Sequence, residues 1–518
     1  MGPQITHMTN SLWTQADWLF TLSNRSNDVV YMNRLFPYVV LVLLALPTTV
    51  LALPDSNQIE FSNCMLALPG TNLTANARCG SLEVAENPAE PAGKRIKLNI
   101  AVAPATGKST EPDPVFFFAG GPGQAASETW VMLRSTLNKI RKSRDIVMID
   151  QRGTGKSNKL ACESEIDEDL NQEIDLDLIR TETEKCLAEL DGDPRFYTTT
   201  IAMADYNLVR QAMGYDKINI MGVSYGTRAA QVYLRLFPET VRTVTLDSVI
   251  PMQLALGQEH APMLDRSVSR VFDGCAADET CNSLFPHRAE ELNTLFEQLR
   301  KQPRQITIIN PVSGEAQDMR LTADTLAVAI RFLSYASETQ ALIPLLVHEA
   351  LTTGNLSRLA SQAILVMTGL SEMLAKGMEL SVLCAEDYPF IDFSADYSDS
   401  LMGNIFLEII ALQCKVWPHN PVSAEFHQPV VSELPVLLMS GERDPVTPPH
   451  YAAQTAETFP NSLNLVARGQ AHSVMKNICL RDITTEFIEK GTIENLDTTC
   501  VENIRSAPFF TSLLGPDP

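Results

Sequence analysis

The fold of this chain is decided by one stretch, Lys217-Ile218-Asn219-Ile220-Met221-Gly222-Val223-Ser224-Tyr225-Gly226-Thr227. An alternating apolar run predicts a strand that ends at Val223, and the periodic run from Thr227 to Phe237 predicts a helix. Between them stands the pattern G-x-S-x-G, with Ser224 at the apex of a sharp turn. Glycines on both sides of the serine let the strand and the helix approach without a Cβ clash. The stretch therefore predicts a nucleophile elbow, in which Ser224 projects above a sheet beside a helix N-terminus.

The composition is that of an acidic globular protein. Hydrophobic residues make up 45% of the 518 residues, and 62 acidic against 40 basic residues give a formal net charge of −22. Nucleic acid phosphates require a basic surface, so we expect no nucleic-acid partner. We interpret the acidity as a contribution to solubility. The sequence leaves the oligomeric state open.

A strongly apolar run extends from Leu35 to Leu53. Its unbroken part, Tyr38 to Leu46, is shorter than the roughly 20 residues that a membrane-spanning helix needs. The run ends in Val-Leu-Ala52, with small residues where a signal peptidase reads. We predict a signal peptide over 32–52, cleaved after Ala52, with residues 1–31 as an upstream extension. This predicts a secreted or periplasmic protein without a stable membrane span; an uncleaved amino-terminal anchor is the alternative.

Ten cysteines follow this segment, and each has one near neighbour in the sequence. An even number of cysteines in an exported chain predicts disulfides, and pairing of neighbours is the simplest arrangement. The chain has no C-x-x-C pattern, so neither a zinc ribbon nor a dithiol redox site is indicated. The expected pairs are Cys64–Cys79, Cys162–Cys186, Cys275–Cys281, Cys384–Cys414 and Cys479–Cys500.

The order of strand and helix patterns predicts an α/β fold with a mostly parallel central sheet and helices on both faces. After a loop-rich segment over 53–94, strands and helices alternate over 95–250. A long run of helical patterns over 251–430 predicts a mainly helical cap, inserted after the sixth strand and restricting access to the site. The alternation returns over 431–518.

A glycine loop, Gly120-Gly-Pro-Gly123, follows a buried apolar strand pattern. A backbone N–H of this loop and the N–H after the nucleophile can stabilise a developing oxyanion, which assigns these roles to Gly121 and Tyr225. A tight turn without such a role is one alternative. A dinucleotide loop, read from Gly121-x-Gly123-x-x-Ala126, is another, but Pro122 removes a donor where phosphate would bind.

Two other motifs are incomplete. Gly155-Lys156-Ser157 resembles the end of a phosphate-binding loop, but Asp150 stands where its first glycine belongs, and we expect Asp150 to pair with Arg152 instead. His348-Glu349 does not continue to a second histidine, because Thr352 occupies that position. We therefore expect no metal and no cofactor.

The acid and the base are predicted from their places after strands. Asp444 follows the strand pattern Leu434–Met439, and His472 follows the last strand. The chain order serine, aspartate, histidine is the one that α/β-hydrolases use. In such a triad His472 takes the proton of Ser224 as the hydroxyl attacks, and Asp444 holds the imidazole in the required tautomer. The alternatives are Asp247 and Glu442 for the acid and His450 for the base.

The combination of these motifs resembles the proline iminopeptidase and tripeptidyl aminopeptidase family of α/β-hydrolases. The matching stretches, from about Arg95 to the carboxyl end, are Gly120-Gly-Pro-Gly123, Asp150-Gln-Arg-Gly-Thr-Gly-Lys-Ser157, Gly222-Val-Ser-Tyr-Gly226, Gly441-Glu-Arg-Asp-Pro-Val-Thr447 and His472. Ala119 stands where proline iminopeptidases usually have histidine, and the long cap with Cys384-Ala-Glu-Asp387 looks more like the tripeptidyl branch.

The resemblance implies an exported serine exopeptidase that removes one to three residues from peptides with a free amino terminus. It also implies that an acidic cap residue binds the free amino group, which points to Glu386. From spacing alone, the sequence favours a surface acidic pair at Glu386 and Asp387. The alternatives for the function are a carboxylesterase with the same triad and a hydrolase-fold binding protein without activity.

Overall fold

The computed structural model describes residues 59–162, 175–311 and 313–516. The signal peptide predicted over 32–52, its cleavage site at Ala52 and the extension over 1–31 lie outside the described residues. Within the described part, no helix is long and apolar enough to cross a membrane.

A mixed sheet is the centre of the fold. Before the insertion its strands are β1 (Ser62–Ala67), β2 (Thr74–Ala85), β3 (Arg95–Ala103), β4 (Val115–Phe118), β5 (Ile146–Ile149), β6 (Ile218–Val223) and β7 (Val241–Asp247). β8 and β9 form a separate hairpin in the insertion, and the last two strands of the sheet are β10 (Val436–Gly441) and β11 (Ser462–Ala467). The order is β1-β2-β3-β5-β4-β6-β7-β10-β11. All pairs from β5 to β11 are parallel, and those among β1, β2, β3 and β5 are antiparallel. The predicted fold class, a mostly parallel α/β sheet, is confirmed.

The prediction of a loop-rich segment over 53–94 is wrong, because β1 and β2 lie there. The buried positions in the first half of β2 are alanines, Ala75 and Ala77, so the hydrophobic alternation of this strand is weak in the sequence. Pairing with β3 over Arg78–Ala85 supplies the backbone hydrogen bonds of the strand instead. As a result, the large insertion follows the seventh strand of the chain rather than the sixth.

Helices cover the sheet and form the insertion. Outside the insertion they are α1 (Ala126–Leu133), α2 (Leu176–Glu189), α3 (Thr199–Ala212), α4 (Tyr225–Leu236), α14 (Pro449–Ala456) and α15 (Ile478–Lys490). Between β7 and β10 lie α5 (His260–Ala277), α6 (Glu279–Leu284), α7 (Arg288–Lys301), α8 (Ala323–Leu333), α9 (Ser337–Gln340), α10 (Ile343–Thr353), α11 (Ser357–Ser371), α12 (Lys376–Val382) and α13 (Ile405–Val416). The insertion also contains an antiparallel hairpin of β8 (Arg304–Ile309) and β9 (Ala316–Leu321), which the helical patterns did not predict.

All five expected cysteine pairs are disulfides in the structure, and none of the cysteines is free. Each closes a short loop, with the partners 6 to 30 residues apart in sequence. A bridge of this kind stabilises a fold by about 2–4 kcal/mol. The bridge between Cys384 and Cys414 connects a π-helical turn, Leu383–Asp387, to α13. This turn therefore has a covalent support close to Glu386.

Candidate active site

Ser224 lies at the sharp turn between β6 and α4, with φ +56° and ψ −125°. Its N–H donates to the carbonyl of Asp247 at 3.0 Å. The glycines beside it cannot be replaced without a clash: a Cβ on Gly222 would lie 2.3 Å from the Gly226 carbonyl oxygen, and one on Gly226 2.1 Å from that of Phe118. The strained turn thus holds the partly exposed serine at the edge of the sheet.

The glycine loop lies directly against the serine. A Cβ on Gly120 would be 3.2 Å from the Cβ of Ser224. Gly121 has φ +106°, a left-handed conformation that favours glycine. Tyr225 is the first residue of α4, where backbone N–H groups have no partner within the helix. Gly121 and Tyr225 therefore remain the predicted oxyanion donors.

The buried Asp444 and the partly buried His472 form a hydrogen-bonded pair, with Oδ2 of Asp444 2.8 Å from Nδ1 of His472. Oδ1 of Asp444 also accepts the N–H groups of Val446 and Thr447, each at 2.8 Å, and Oδ2 accepts the Thr447 hydroxyl at 2.7 Å. The carboxylate is thus held in one orientation. With Nδ1–H donating to Asp444, Nε2 of the imidazole is left to accept a proton.

The charges of this pair support each other. Burial alone would raise the pKa of Asp444, but the charge of His472 and the hydrogen bond from it lower that pKa to about 2. Burial lowers the pKa of His472, and the charge of Asp444 and its hydrogen bond outweigh this, so the pKa is raised above the usual value of histidine. Asp444 therefore stays ionised while His472 titrates.

The alternative acid and base have other contacts. Glu442 accepts the N–H of Gly469 at 2.8 Å, which connects the loop after β10 to the loop after β11. The ring of His450 contacts that of Tyr451, with the centroids 4.6 Å apart. The structure pairs His472 with Asp444 rather than with Glu442, and it gives His450 no place in that pair.

Asp247 connects the serine to the histidine loop. Its carbonyl accepts the N–H of Ser224, and its fully buried carboxylate accepts the N–H groups of Val474 at 3.0 Å and Met475 at 2.9 Å. These two residues follow His472 in the chain. Asp247 thus connects the end of β6 to the loop that carries His472. The sequence did not predict this structural role of Asp247.

Glu386 is fully buried in the π-helical turn, so the interpretation of a surface acidic pair is wrong. Its Oε1 accepts the N–H of Thr199 at 2.5 Å, and its Oε2 accepts the Thr199 hydroxyl at 2.8 Å. That hydroxyl is 2.6 Å from the hydroxyl of Tyr225, the residue after the nucleophile. Burial, followed by the charge of Asp387, raises the pKa of Glu386 to about 7. A buried carboxyl that titrates near neutrality is typical of functional sites.

Asp387 forms a buried ion pair with Arg228, at 2.7 Å, and also accepts the N–H of Leu256. Neither side chain is exposed. Oδ2 of Asp387 and Nε of Arg228 have no hydrogen-bond partner within the described residues. Sequence reasoning missed Arg228 and Thr199. A basic residue on the buried face of the helix that follows the elbow was the available signal for Arg228.

The expected pair of Asp150 and Arg152 is wrong. Asp150 accepts the backbone N–H and the hydroxyl of Ser127, each at 2.9 Å, and the side-chain amide of Asn99. Arg152 pairs instead with Asp205 at 2.7 Å. Both are structural contacts of the loop after β5. Within the described residues, no group of three or more histidine, cysteine or acidic side chains is arranged to hold a metal ion.

Two family models match the chain. The model described as alpha/beta hydrolase fold matches residues 113–363, and the one described as TAP-like protein matches residues 399–500. The first region contains the elbow with Ser224, and the second contains Asp444 and His472.

The chain is similar over most of its length to curated proteins. Tripeptidyl aminopeptidase of Streptomyces lividans is 25% identical, with 84% of this chain and 86% of that protein covered. Serine protease Hip1 of Mycobacterium tuberculosis (strain ATCC 25618 / H37Rv) is 23% identical, with 85% and 91% covered. Among solved structures, a proline iminopeptidase of Mycobacterium smegmatis aligns with a TM-score of 0.37 and 14% identity, covering 79% of this chain and 98% of that one.

The sheet order, the elbow and the two matched regions lead to one assignment. The relatives, named serine protease and tripeptidyl aminopeptidase, agree with a nucleophilic serine as the centre of the site. The chain has the α/β-hydrolase fold and is a serine hydrolase, with a carboxyl-terminal region that matches the TAP-like model.

Proposed function

We propose that this protein is an exported serine aminopeptidase that releases one to three residues from the free amino terminus of peptides. The observation that carries the proposal is the buried carboxyl of Glu386, two hydrogen bonds away from Tyr225 through Thr199. A buried negative charge at this place needs a cationic partner, and the ammonium of a peptide amino terminus is such a cation.

The reaction begins with attack of the Ser224 hydroxyl on the carbonyl carbon of the scissile bond. His472 accepts the hydroxyl proton on Nε2, and the ionised Asp444 stabilises the imidazolium that forms. The N–H groups of Gly121 and Tyr225 stabilise the oxyanion. His472 then protonates the leaving amine, and an acyl-enzyme on Ser224 remains. Water, deprotonated by His472, releases the amino-terminal product.

The proposal of export is supported by the five disulfides, which persist in oxidising compartments. This disulfide framework fits a protein that acts outside the cytosol. We propose that the segment 32–52 is the signal that directs it there, with cleavage after Ala52. Mass spectrometry of the mature amino terminus tests this assignment: a terminus at Leu53 supports it, and one that retains residues 32–52 contradicts it.

A substrate panel tests the aminopeptidase proposal. It contains peptides of three to six residues with a free or an acetylated amino terminus, together with simple carboxylic esters. We expect hydrolysis of the free peptides and loss of activity when the amino group is acetylated, because acetylation removes the charge that Glu386 binds. Hydrolysis restricted to esters and blocked peptides would contradict the proposal and leave the carboxylesterase as the function.

Replacing Glu386 by glutamine is expected to raise KM for peptides with a free amino terminus about 10- to 100-fold, with a smaller effect on kcat. A charge-assisted hydrogen bond of about 1.5–3 kcal/mol is lost, while the shape of the side chain is kept. In the wild type, KM should rise as the pH falls below about 7, since protonation removes the charge of Glu386. The variant should lack this dependence.

The matched control is Glu408→Gln, which removes an exposed acidic charge of α13. Its KM and pH profile should equal those of the wild type. An unchanged KM in Glu386→Gln for free and acetylated peptides would show that another group recognises the amino terminus.

A further inference from the structure

Arg331 is a buried cation in the last turn of α8, only 8% exposed. Its guanidinium carbon makes cation–π contacts with two aromatic rings, 5.8 Å from the ring centre of Tyr335 and 5.9 Å from that of Phe406. Contacts of this kind stabilise a buried guanidinium, and the N–H groups of an arginine bind carboxylates in the plane of the group. The two rings thus hold the group and leave most of its N–H groups without a partner within the described residues.

The hydrogen-bonding capacity of Arg331 is largely unused. Nη1 has no partner among the described residues, and Nη2 makes one long contact, 3.4 Å, to the hydroxyl of Tyr335. No acidic side chain of the described chain forms an ion pair with it. Beyond Phe406 lies the ring of His260, whose pKa is lowered by burial and then by the charge of Arg331, so this neighbour is neutral. A buried, unpaired guanidinium is costly and fits an anionic ligand.

Arg331 lies beside the catalytic histidine. The ring of Tyr335 contacts that of His472, with the centroids 5.3 Å apart, and the Tyr335 carbonyl accepts the His472 N–H at 3.2 Å. Through Tyr335, the guanidinium is at most about 11 Å from the His472 ring. An extended peptide spans about 3.3–3.6 Å per residue, so this distance corresponds to about three residues.

The two charged groups are connected to different members of the predicted triad. Glu386 connects to the nucleophile through Thr199 and Tyr225, while Arg331 contacts the residue that packs on His472. His472 delivers a proton to the leaving amine, so groups next to it face the leaving part of the substrate. We propose that Arg331 binds a carboxylate of the leaving part, within about three residues of the scissile bond. This inference rests on the proposed function and names its substrate class: short oligopeptides with a free carboxyl terminus.

Three matched sets of peptides test this proposal. All share one amino-terminal sequence with a free amino group, and their leaving parts contain one to three alanines. The first set ends in a free carboxylate, the second in a carboxamide, and the third in an aspartate whose own carboxyl end is a carboxamide. We expect kcat/KM of the wild type to favour the free carboxylate over the amide about 10- to 100-fold, as for other charge-assisted hydrogen bonds. If the aspartate amides are hydrolysed as fast as the free acids, a side-chain carboxylate of the leaving part also binds at Arg331.

Arg331→Met keeps an unbranched apolar side chain against the two rings and removes the charge and the N–H donors. The ratio of kcat/KM for acid and amide should fall toward one in this variant, and Arg331→Lys should keep part of it. The control Lys301→Met removes a cap charge that is 79% exposed and should leave the ratio unchanged. Equal ratios in the wild type and in Arg331→Met would overturn the proposal.

A second measurement does not depend on turnover. Trialanine and its amide are compared as protectors of Ser224 against labelling by a fluorophosphonate. Stronger protection by the acid than by the amide in the wild type, lost in Arg331→Met, supports the carboxylate site. If this is observed but no peptide is hydrolysed, only the aminopeptidase proposal fails. Equal protection by acid and amide, with hydrolysis of both, overturns the Arg331 site and leaves the aminopeptidase proposal in place.

Discussion

Replacing Ser224 by alanine is expected to lower kcat for every substrate by at least about 10⁴-fold and to abolish covalent labelling by a fluorophosphonate. The hydroxyl is the only group at the apex of the elbow that can form the acyl-enzyme, and the Asp444–His472 pair has no nucleophile to deprotonate without it. The measurement is hydrolysis of the best substrate of the panel, together with gel detection of the labelled protein.

The control is Ser283→Ala, which removes an exposed hydroxyl of α6 that donates to the carbonyl of Thr280. It should label and hydrolyse as the wild type does. Labelling that persists in Ser224→Ala would place the nucleophile elsewhere. A folded wild type that neither labels nor hydrolyses any substrate of the panel would instead favour a binding protein with this fold.

Replacing Asp444 by asparagine is expected to lower kcat by about 10⁴-fold, with the protein still folded. Asparagine keeps the size of the side chain but removes the charge that stabilises the imidazolium, and its amide can direct a donor at Nδ1, which selects the wrong tautomer of His472. The variant is compared with the wild type by kcat and by thermal unfolding.

The pH profile adds an independent test. In the wild type, Asp444 raises the pKa of His472 against the effect of burial, so activity should rise with pH and reach half its maximum above the usual pKa of histidine, about 6.5. In Asp444→Asn that raising charge is absent, and the residual activity should reach its half-maximum at a lower pH. An unchanged midpoint would contradict the assignment of Asp444 as the partner of His472.

Asp247→Asn is the matched control, because it removes the other buried carboxylate near His472. Its asparagine oxygen can accept only part of the hydrogen bonds from Val474 and Met475, so we expect a lower melting temperature and a loss of kcat of about 10- to 100-fold. Because Asp444 is still present in Asp247→Asn, its hydrogen bond to Nδ1 should keep His472 in the required tautomer. A larger loss of kcat in Asp247→Asn than in Asp444→Asn would identify Asp247 as the acid.

Much of the site was predictable because its signals are local. The elbow at Ser224 rests on glycines whose Cβ atoms would meet backbone within a few residues or on the adjacent strand. Ser224, Asp444 and His472 each follow a strand of the parallel part of the sheet, and the carboxyl ends of these strands lie at the same edge. The cysteine pairs are close in sequence, so short chain segments already bring their partners near each other.

Other features depend on contacts between segments far apart in the chain. β2 is a strand because it pairs with β3, and β1 is a strand because it pairs with β2, although the apolar alternation of β2 is weak. Arg152 pairs with Asp205 rather than with the nearby Asp150, since Ser127 and Asn99 already surround Asp150. No local pattern distinguishes these outcomes from their alternatives.

The stretch Lys217–Thr227 therefore predicted the fold class, which the structure confirms, and it predicted Ser224 as the nucleophile, because steric limits on a tight turn act within a few residues. Only the tertiary structure decided that Glu386 is buried beside Thr199 and that Nη1 of Arg331 has no hydrogen-bond partner within the described residues. Whether a charged residue is a solvated surface group or a buried recognition group depends on what covers it, and the covering side chains come from distant parts of the chain.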